Sequence, residues 1–310
     1  MSQYLGQHFL KNKSAIKKII ASLDLHSGET IIEIGPGKGA LTFPLLHECN
    51  KIGAKLIAIE KDRELALMLF KSDSELIIEL GDALEILPAL SKSYKQKTSA
   101  QGGSLPAGGH GASGEKSYKI VGNIPFYITG KLLRTISELE NKPELTVLMI
   151  QKEVAERICA GQERMNPVRG REGSPHTSSL RGRQRASASN GMNLLAAATQ
   201  IWAKPKILFT LSPEDFDPPP KVHSAVIRLE SRSKNLESGI MENYYKLIHV
   251  IFKQPRKTLY NNLRDGLELP AENIKKALDD MKIDLKSRPQ DLSVEQILVL
   301  SEKTNKNLKK

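Results

Sequence analysis

The chain has 310 residues, 39% hydrophobic and 26% charged, enough apolar material for a sizeable core; global disorder is excluded, and one large or two modest domains fit. Lys and Arg number 46 against 35 Asp and Glu, a formal charge of +11, which favours a polyanion such as nucleic acid over a membrane surface, since no basic amphipathic helix stands out. Two cysteines, Cys49 and Cys159, exclude a disulfide framework and a four-cysteine zinc site, and both read as small core residues. No run of about 18 apolar residues offers a membrane span. The first residues, MSQYLGQHFLKNKSAIKK, lack an uninterrupted apolar stretch of the kind a secretory signal needs, so a cytoplasmic protein is expected.

Residues 13–24 place Ile16, Ile19, Ile20 and Leu23 at helical spacing. TIIEI at 30–34 reads as a short buried strand running straight into glycines, and 40–48 as a helix. KLIAIE at 55–60 is a second strand, after which Asp62 can cap the next helix. ELIIEL at 75–80 and YKIVG at 118–122 are a third and fourth strand. A helix at 128–139, a fifth strand at 144–150 and the helix QKEVAERICA follow, with later strands expected at 203–210 and 222–230. This alternation predicts an α/β fold, a Rossmann-like parallel sheet with helices on both faces.

Two stretches break the alternation. Residues 97–116 hold six glycines and read as an inserted loop. Residues 161–190 hold six arginines and two glutamates among Ser, Gly and Pro, which suits either an RNA-binding arm or a neutral insertion. SRSKNLESG after Glu230 reads as a linker, so a first domain is expected over 1–232. Residues 240–310 show helical patterns such as MENYYKLIHVIFK and AENIKKALDDMK, predicting a small all-α domain over 240–310. Within it, Lys253, Arg256, Lys257 and Arg264 cluster around Tyr260, a basic helical face suited to phosphate contact.

The strongest local signal is Glu33-Ile34-Gly35-Pro36-Gly37-Lys38-Gly39-Ala40 at a strand-to-helix junction, where glycines let the backbone approach a ligand. Alone it is ambiguous, since dinucleotide enzymes use a similar turn; Gly39, however, comes one residue too early for G-x-G-x-x-G. Glu60 ends the second strand, 25 residues after Gly35, where an acid can accept from ribose hydroxyls. Asp82 follows the third strand, where a carboxylate can accept from an adenine amino group. Open α/β sheets bind ligands at that edge.

In this order the segments resemble the class I S-adenosylmethionine-dependent methyltransferases. The resemblance implies S-adenosylmethionine as cofactor, with Gly35 and Gly37 along its methionine part, Glu60 on the ribose and Asp82 on the adenine.

After the fourth strand comes Asn123-Ile124-Pro125-Phe126-Tyr127. An exocyclic adenine amine is a poor nucleophile because its lone pair is conjugated with the ring. The Asn123 side-chain oxygen and the carbonyl of Ile124 or Pro125 can accept its two N–H groups and favour a pyramidal nitrogen. Phe126 can stack on the base, and Pro125 stiffens the loop.

Here the resemblance narrows. N-[IL]-P-[FY] is similar to the motif of adenine-N6 methyltransferases acting on RNA. Gly6-Gln7-His8-Phe9-Leu10, the stretch Gln151-Lys152-Glu153-Val154-Ala155-Glu156-Arg157, and Phe216-Asp217-Pro218-Pro219-Pro220-Lys221-Val222-His223-Ser224-Ala225-Val226 resemble segments of the ribosomal small-subunit RNA adenine dimethyltransferases. That resemblance covers residues 3–160 and 191–300. It implies cofactor contacts from His8, Leu10 and Asn123, a second base-stacking aromatic in Phe216, and a phosphate contact from Lys221. It also implies two methyl transfers to N6 of each of two adjacent adenosines near the 3′ end of 16S rRNA, within the small ribosomal subunit or its precursor. No metal is implied, and a monomer is expected. Phe126 stands where the family more often has tyrosine, and the two insertions are not family features. A 23S rRNA methyltransferase of the macrolide-resistance type and a non-catalytic subunit-assembly factor are the competing functions.

Overall fold

The computed structural model describes residues 8–73, 75–94, 117–161, 191–232, 236 and 238–308. The inserted stretch 97–116 and nearly all of 161–190 lie outside the described residues, as do Gly6 and Gln7 of the N-terminal motif. Packing divides the chain into two units: residues 1–156 with 202–235, and residues 157–201 with 236–310. The expected first domain over 1–232 therefore differs in one respect: 157–201 groups with the C-terminal helices. The reason is visible in α7 (Leu194–Gln200), whose small residues Ala196 and Ala197 are fully buried against α8 (Ser238–Ile251).

The first unit starts with a two-residue strand, β1 (Phe9–Leu10), and helix α1 (Lys13–Ser22), capped by the Asn12 side chain, which accepts from the Ala15 N–H. Strand–helix pairs follow as β2 (Thr30–Ile34), α2 (Thr42–Ile52), β3 (Lys55–Glu60), α3 (Arg63–Ser72), β4 (Ile77–Leu80) and α4 (Ala83–Ser91). Asp62 caps α3, as its place in the sequence suggests, and Asp82 caps α4. Next come β5 (Tyr118–Asn123), a 3₁₀ turn Phe126–Ile128, α5 (Thr129–Glu138), β6 (Leu145–Gln151) and α6 (Lys152–Cys159). Strands β7 (Ala203–Leu211), β8 (Phe216–Asp217) and β9 (Ser224–Ser231) complete the unit.

Seven strands form one sheet in the order β4-β3-β2-β5-β6-β9-β7. The first five are parallel; β9 runs antiparallel to both β6 and β7. The expectation of a parallel sheet is thus corrected at one edge. β7 and β9 are separated by no crossover helix, and only a crossover permits parallel neighbours. All five residues of β2 are buried, so both faces of the central strand are covered. Cys49 is buried in that core, whereas Cys159 is half-buried. At the N-terminal end of the sheet Lys119 pairs with Glu29 over 2.9 Å, both nearly inaccessible.

The second unit adds α8, α9 (Leu259–Gly266), α10 (Ala271–Asp280) and α11 (Val294–Leu308) to α7. Tyr244 lies in its core and donates its hydroxyl to the Ala197 carbonyl at 3.0 Å. The basic cluster differs from a helical face. Lys253, Arg256 and Lys257 stand exposed in the connection between α8 and α9, where Pro255 cannot continue a helix, and only Arg264 is on α9. Asp265 pairs with two of the four, Lys257 at 3.3 Å and Arg264 at 2.9 Å. Buried Asn262 holds this connection, its amide donating to the carbonyls of Gln254 (3.0 Å), Thr258 (3.1 Å) and Lys257 (3.4 Å). Among the described residues no helix is long and apolar enough to cross a membrane.

Candidate functional site

Strand order reverses between β2 and β5, and a crevice opens beyond the carboxyl ends of strands at such a point. A pocket is found there, and all ten residues expected from the sequence line it: His8, Leu10, Gly35, Gly37, Glu60, Asp82, Asn123, Pro125, Phe126 and Phe216. The parallel register explains the convergence. Ile34 pairs with Ile59 and with Gly122, so the residues after each strand emerge at one level.

The turn after β2 is left-handed at Gly35 (φ 68°) and Gly37 (φ 57°). A Cβ on Gly37 would stand 2.8 Å from the Phe9 ring, so glycine is needed there for both conformation and space. Phe9 is covered in turn by the Lys38 ammonium, 4.7 Å from its centroid. Glu60 is buried and spans the turn: one carboxylate oxygen accepts the Gly37 N–H at 3.0 Å, the other the Asp62 N–H at 2.9 Å. Each oxygen keeps a lone pair for a hydroxyl donor. Asp82 accepts the Leu84 N–H and, at 2.9 Å, the Lys61 ammonium. That backbone bond first, and Lys61 second, hold its carboxyl below the usual range.

Asn123 ends β5. Its amide nitrogen donates to the His8 main-chain carbonyl at 2.7 Å. A carbonyl can only accept, so the amide orientation is settled and the side-chain oxygen is the atom left for another donor. The Ile124 N–H donates to Met149 O, and the Pro125 carbonyl accepts the Ile128 N–H at 3.1 Å to close the 3₁₀ turn. Of the two backbone carbonyls open as acceptors from sequence, that of Pro125 already takes one N–H. Phe126 is half-buried with its ring 6.2 Å from that of His8. Tyr127 is 63% exposed.

Phe216 arrives from far along the chain. β1 pairs antiparallel with β8, Leu10 opposite Phe216 and Phe9 opposite Asp217. The Lys11 N–H donates to Asp215 O, and the Asn12 amide donates to the Asp215 carboxylate at 2.7 Å. His8 Nδ1 bonds the Pro218 carbonyl at 2.7 Å, which makes Nδ1 the protonated nitrogen and leaves Nε2 for other contacts. Phe216 is 1% exposed and walls the pocket, whereas Lys221 is exposed.

The pocket also contains Glu33, the first acidic letter of the pattern, buried as expected of TIIEI but given no role from sequence. It is 2% exposed, and one carboxylate oxygen has no hydrogen-bond partner among the described residues. Burial pushes its carboxyl up to about 8; the Thr42 hydroxyl pulls the other way, and the charge of Glu60 adds to the rise. An orphaned acid beside a glycine turn, with two further carboxylates on the next strands, fits S-adenosylmethionine: the group offers an ammonium, ribose hydroxyls and an adenine amine to three acceptors.

A family model described as ribosomal RNA adenine dimethylase matches residues 2–167 and 182–306. A ribosomal RNA small subunit methyltransferase A from Koribacter versatilis is 34% identical over 91% of this chain and 86% of its own length. Its namesake from Acidobacterium capsulatum is 32% identical over 96% and 88%. Among solved structures, a dimethyladenosine transferase from Plasmodium falciparum superposes with a TM-score of 0.67 at 21% identity, covering 97% of this chain and 98% of that one. The 23S rRNA methyltransferase ErmE superposes with a TM-score of 0.61 at 20% identity, covering 96% and 99%. At those identities the superpositions establish the fold. With the fold and the matched length in agreement, the chain belongs to the ribosomal RNA adenine dimethylase family of S-adenosylmethionine-dependent methyltransferases.

Proposed function

We propose that this chain dimethylates N6 of two adjacent adenosines near the 3′ end of 16S rRNA, acting as a cytoplasmic monomer on the small ribosomal subunit or its precursor, with a role in subunit maturation. The observation that carries the reading is the Asn123 amide. Its nitrogen is spent on His8, and its oxygen is held at the pocket that Glu60 and Asp82 flank. The relatives' names supply the small-subunit assignment.

S-adenosylmethionine supplies, when bound, an electrophilic methyl on a sulfonium. Glu60 would take the ribose hydroxyls and Asp82 the adenine amine; Gly35, Gly37, His8 and Leu10 would line the remainder. The residues of the chain then have to present an adenosine amine to that methyl. Asn123 Oδ1 and the Ile124 carbonyl accept its two N–H groups, which turns the nitrogen lone pair towards the methyl. Phe126 stacks on the base, and Phe216 lines the same pocket. The target base must leave its stack to enter. No strong base is required, because the amine loses its proton once methylation has made it cationic. Rate enhancement comes from orientation and fixed dipoles. Exposed Lys221 and the loop of Lys253, Arg256 and Lys257 suit RNA phosphates.

The test is transfer of radiolabelled methyl from S-adenosylmethionine to undermethylated 30S subunits, read by nucleoside mass spectrometry. N6,N6-dimethyladenosine at a paired site in 16S rRNA is expected. Transfer to naked 23S RNA with none to 30S would overturn the substrate assignment.

A further inference from the structure

We infer that Tyr127 is the stacking platform for the second of the two adjacent adenosines, holding that base outside the pocket while the first is methylated. The inference rests on the function proposed above and extends it to the nucleotide beside the one that reacts.

Tyr127 lines the pocket, yet it is more exposed than any other large apolar side chain among the described residues. The 3₁₀ turn that carries it is held at both ends. Buried Ile124 donates its N–H to Met149 O, the Pro125 carbonyl takes the Ile128 N–H, and Thr129 is buried at the start of α5. This fixed turn sets Phe126 half-buried and its neighbour outward. Among the described residues no ring contact and no hydrogen bond engages the Tyr127 side chain. Three residues that line the pocket are exposed: Lys38, Lys61 and Tyr127. The rim therefore offers one aromatic face and two ammonium groups, Lys38 over the Phe9 ring and Lys61 beside Asp82. A base stacks on the first kind of group and its phosphates are drawn to the second. Two adjacent adenosines cannot both reach Asn123. When one leaves the stack, its neighbour loses a stacking partner, and an aromatic side chain can replace it. Consecutive Cα atoms are about 3.8 Å apart, so the ring next to Phe126 in the chain stands beside the nucleotide next to the target.

The test pairs Tyr127→Ala with the loss of one base. Undermethylated 30S subunits are reconstituted with a synthetic 3′ segment of 16S rRNA that carries an abasic nucleotide in place of one of the two adenosines. Single-turnover methyl transfer is then read at the other adenosine, for each position in turn. With both adenosines present, Tyr127→Ala should slow transfer about tenfold. On the abasic subunits wild type should show a loss of the same size, and Tyr127→Ala little further loss, at one position or both. Tyr127→Phe should stay near the wild-type rate and Tyr127→Leu should follow Tyr127→Ala, because stacking needs the ring and not the hydroxyl. Additive losses at both positions would overturn the inference, as would a wild-type rate in Tyr127→Ala. Affinity for S-adenosylhomocysteine that fell together with the rate would place the ring on the cofactor; it too would overturn the inference, and leave the proposed function standing. No transfer by wild type to subunits with both adenosines would overturn that function and the inference with it.

Discussion

The side-chain amide of Asn123 donates to the main-chain carbonyl of His8, 115 residues earlier in the chain, over 2.7 Å. One segment thereby serves three purposes. It lines the pocket, orients the Asn123 amide, and pairs through Leu10 with Phe216. Asn123→Ala removes the acceptor and should lower single-turnover methyl transfer by at least about 100-fold, a loss typical of one transition-state hydrogen bond in such a site. Binding to 30S subunits should stay within about threefold, since the phosphate contacts are elsewhere. Asn123→Asp should be nearly as slow, because a carboxylate would then face the His8 carbonyl. A wild-type rate in Asn123→Ala would remove the residue from the chemistry.

Glu60 bridges the glycine turn and the start of α3. Its replacement by Ala strands the buried Gly37 N–H and removes the ribose acceptor together. Affinity for S-adenosylhomocysteine should fall more than tenfold by calorimetry. Unchanged affinity would exclude Glu60 from the site.

Gly37→Ala meets two obstacles, a left-handed backbone and the Phe9 ring 2.8 Å away. A stability loss of about 1–2 kcal/mol is expected from equilibrium denaturation. Phe9→Ala in the same chain should recover the steric part only, so the two substitutions should be non-additive in a double-mutant cycle.

The free protein should also show the Glu33 carboxyl in its stability. A folded-state value raised from 4.5 to about 8 means that the folded chain binds the proton more tightly than the unfolded one. The associated stability is complete below about pH 4.5 and is lost as pH rises towards 8. Measured without cofactor, wild type should therefore lose up to a few kcal/mol relative to Glu33→Gln between pH 5 and pH 8. Parallel pH profiles for the two proteins would show that Glu33 does not titrate in this range.

Asn262 holds the Lys253–Lys257 connection through three backbone carbonyls. Asn262→Ala should cost about 1–3 kcal/mol in unfolding of the helical unit, since those carbonyls lose a buried donor. RNA affinity should drop, with a shallower dependence on salt, because the basic side chains are no longer presented together. An unaltered salt slope would place RNA contact elsewhere.

Much of the site was legible because strand ends are local events. TIIEI followed by glycines, and KLIAIE ending on Glu60, declare their ends by composition, and parallel registers then bring those ends level. Phe216 and His8 could be assigned only by resemblance, since their proximity depends on the β1–β8 pair, a contact over some 200 residues with no periodic signal. The reversal of β9 escaped the alternation rule because strand direction is a property of the connection rather than of the strand. The spacing of its charges suits the basic cluster to a helix, but Pro255 interrupts it between α8 and α9. Burial of Glu33 follows from TIIEI read as a buried strand, whereas the lack of a partner for one of its oxygens among the described residues does not, because packing across the sheet decides what faces an enclosed acid.

The grouping of residues 157–201 with 236–310 means that neither unit is a continuous stretch of chain. Three crossings of the backbone join them, after Glu156, after Ile201 and near Leu236. A stop codon placed in the 233–235 connection would not yield a free-standing catalytic half. It would strip the Tyr244 and Tyr245 hydroxyls from the Ala197 and Ala198 carbonyls and bare the alanines of α7 to water, on a loop that must still return to start β7. During synthesis the same arrangement leaves β6 without its outer neighbour until β9 has emerged, some 75 residues later. About three-quarters of the chain must therefore be synthesised before the seven-stranded sheet can close.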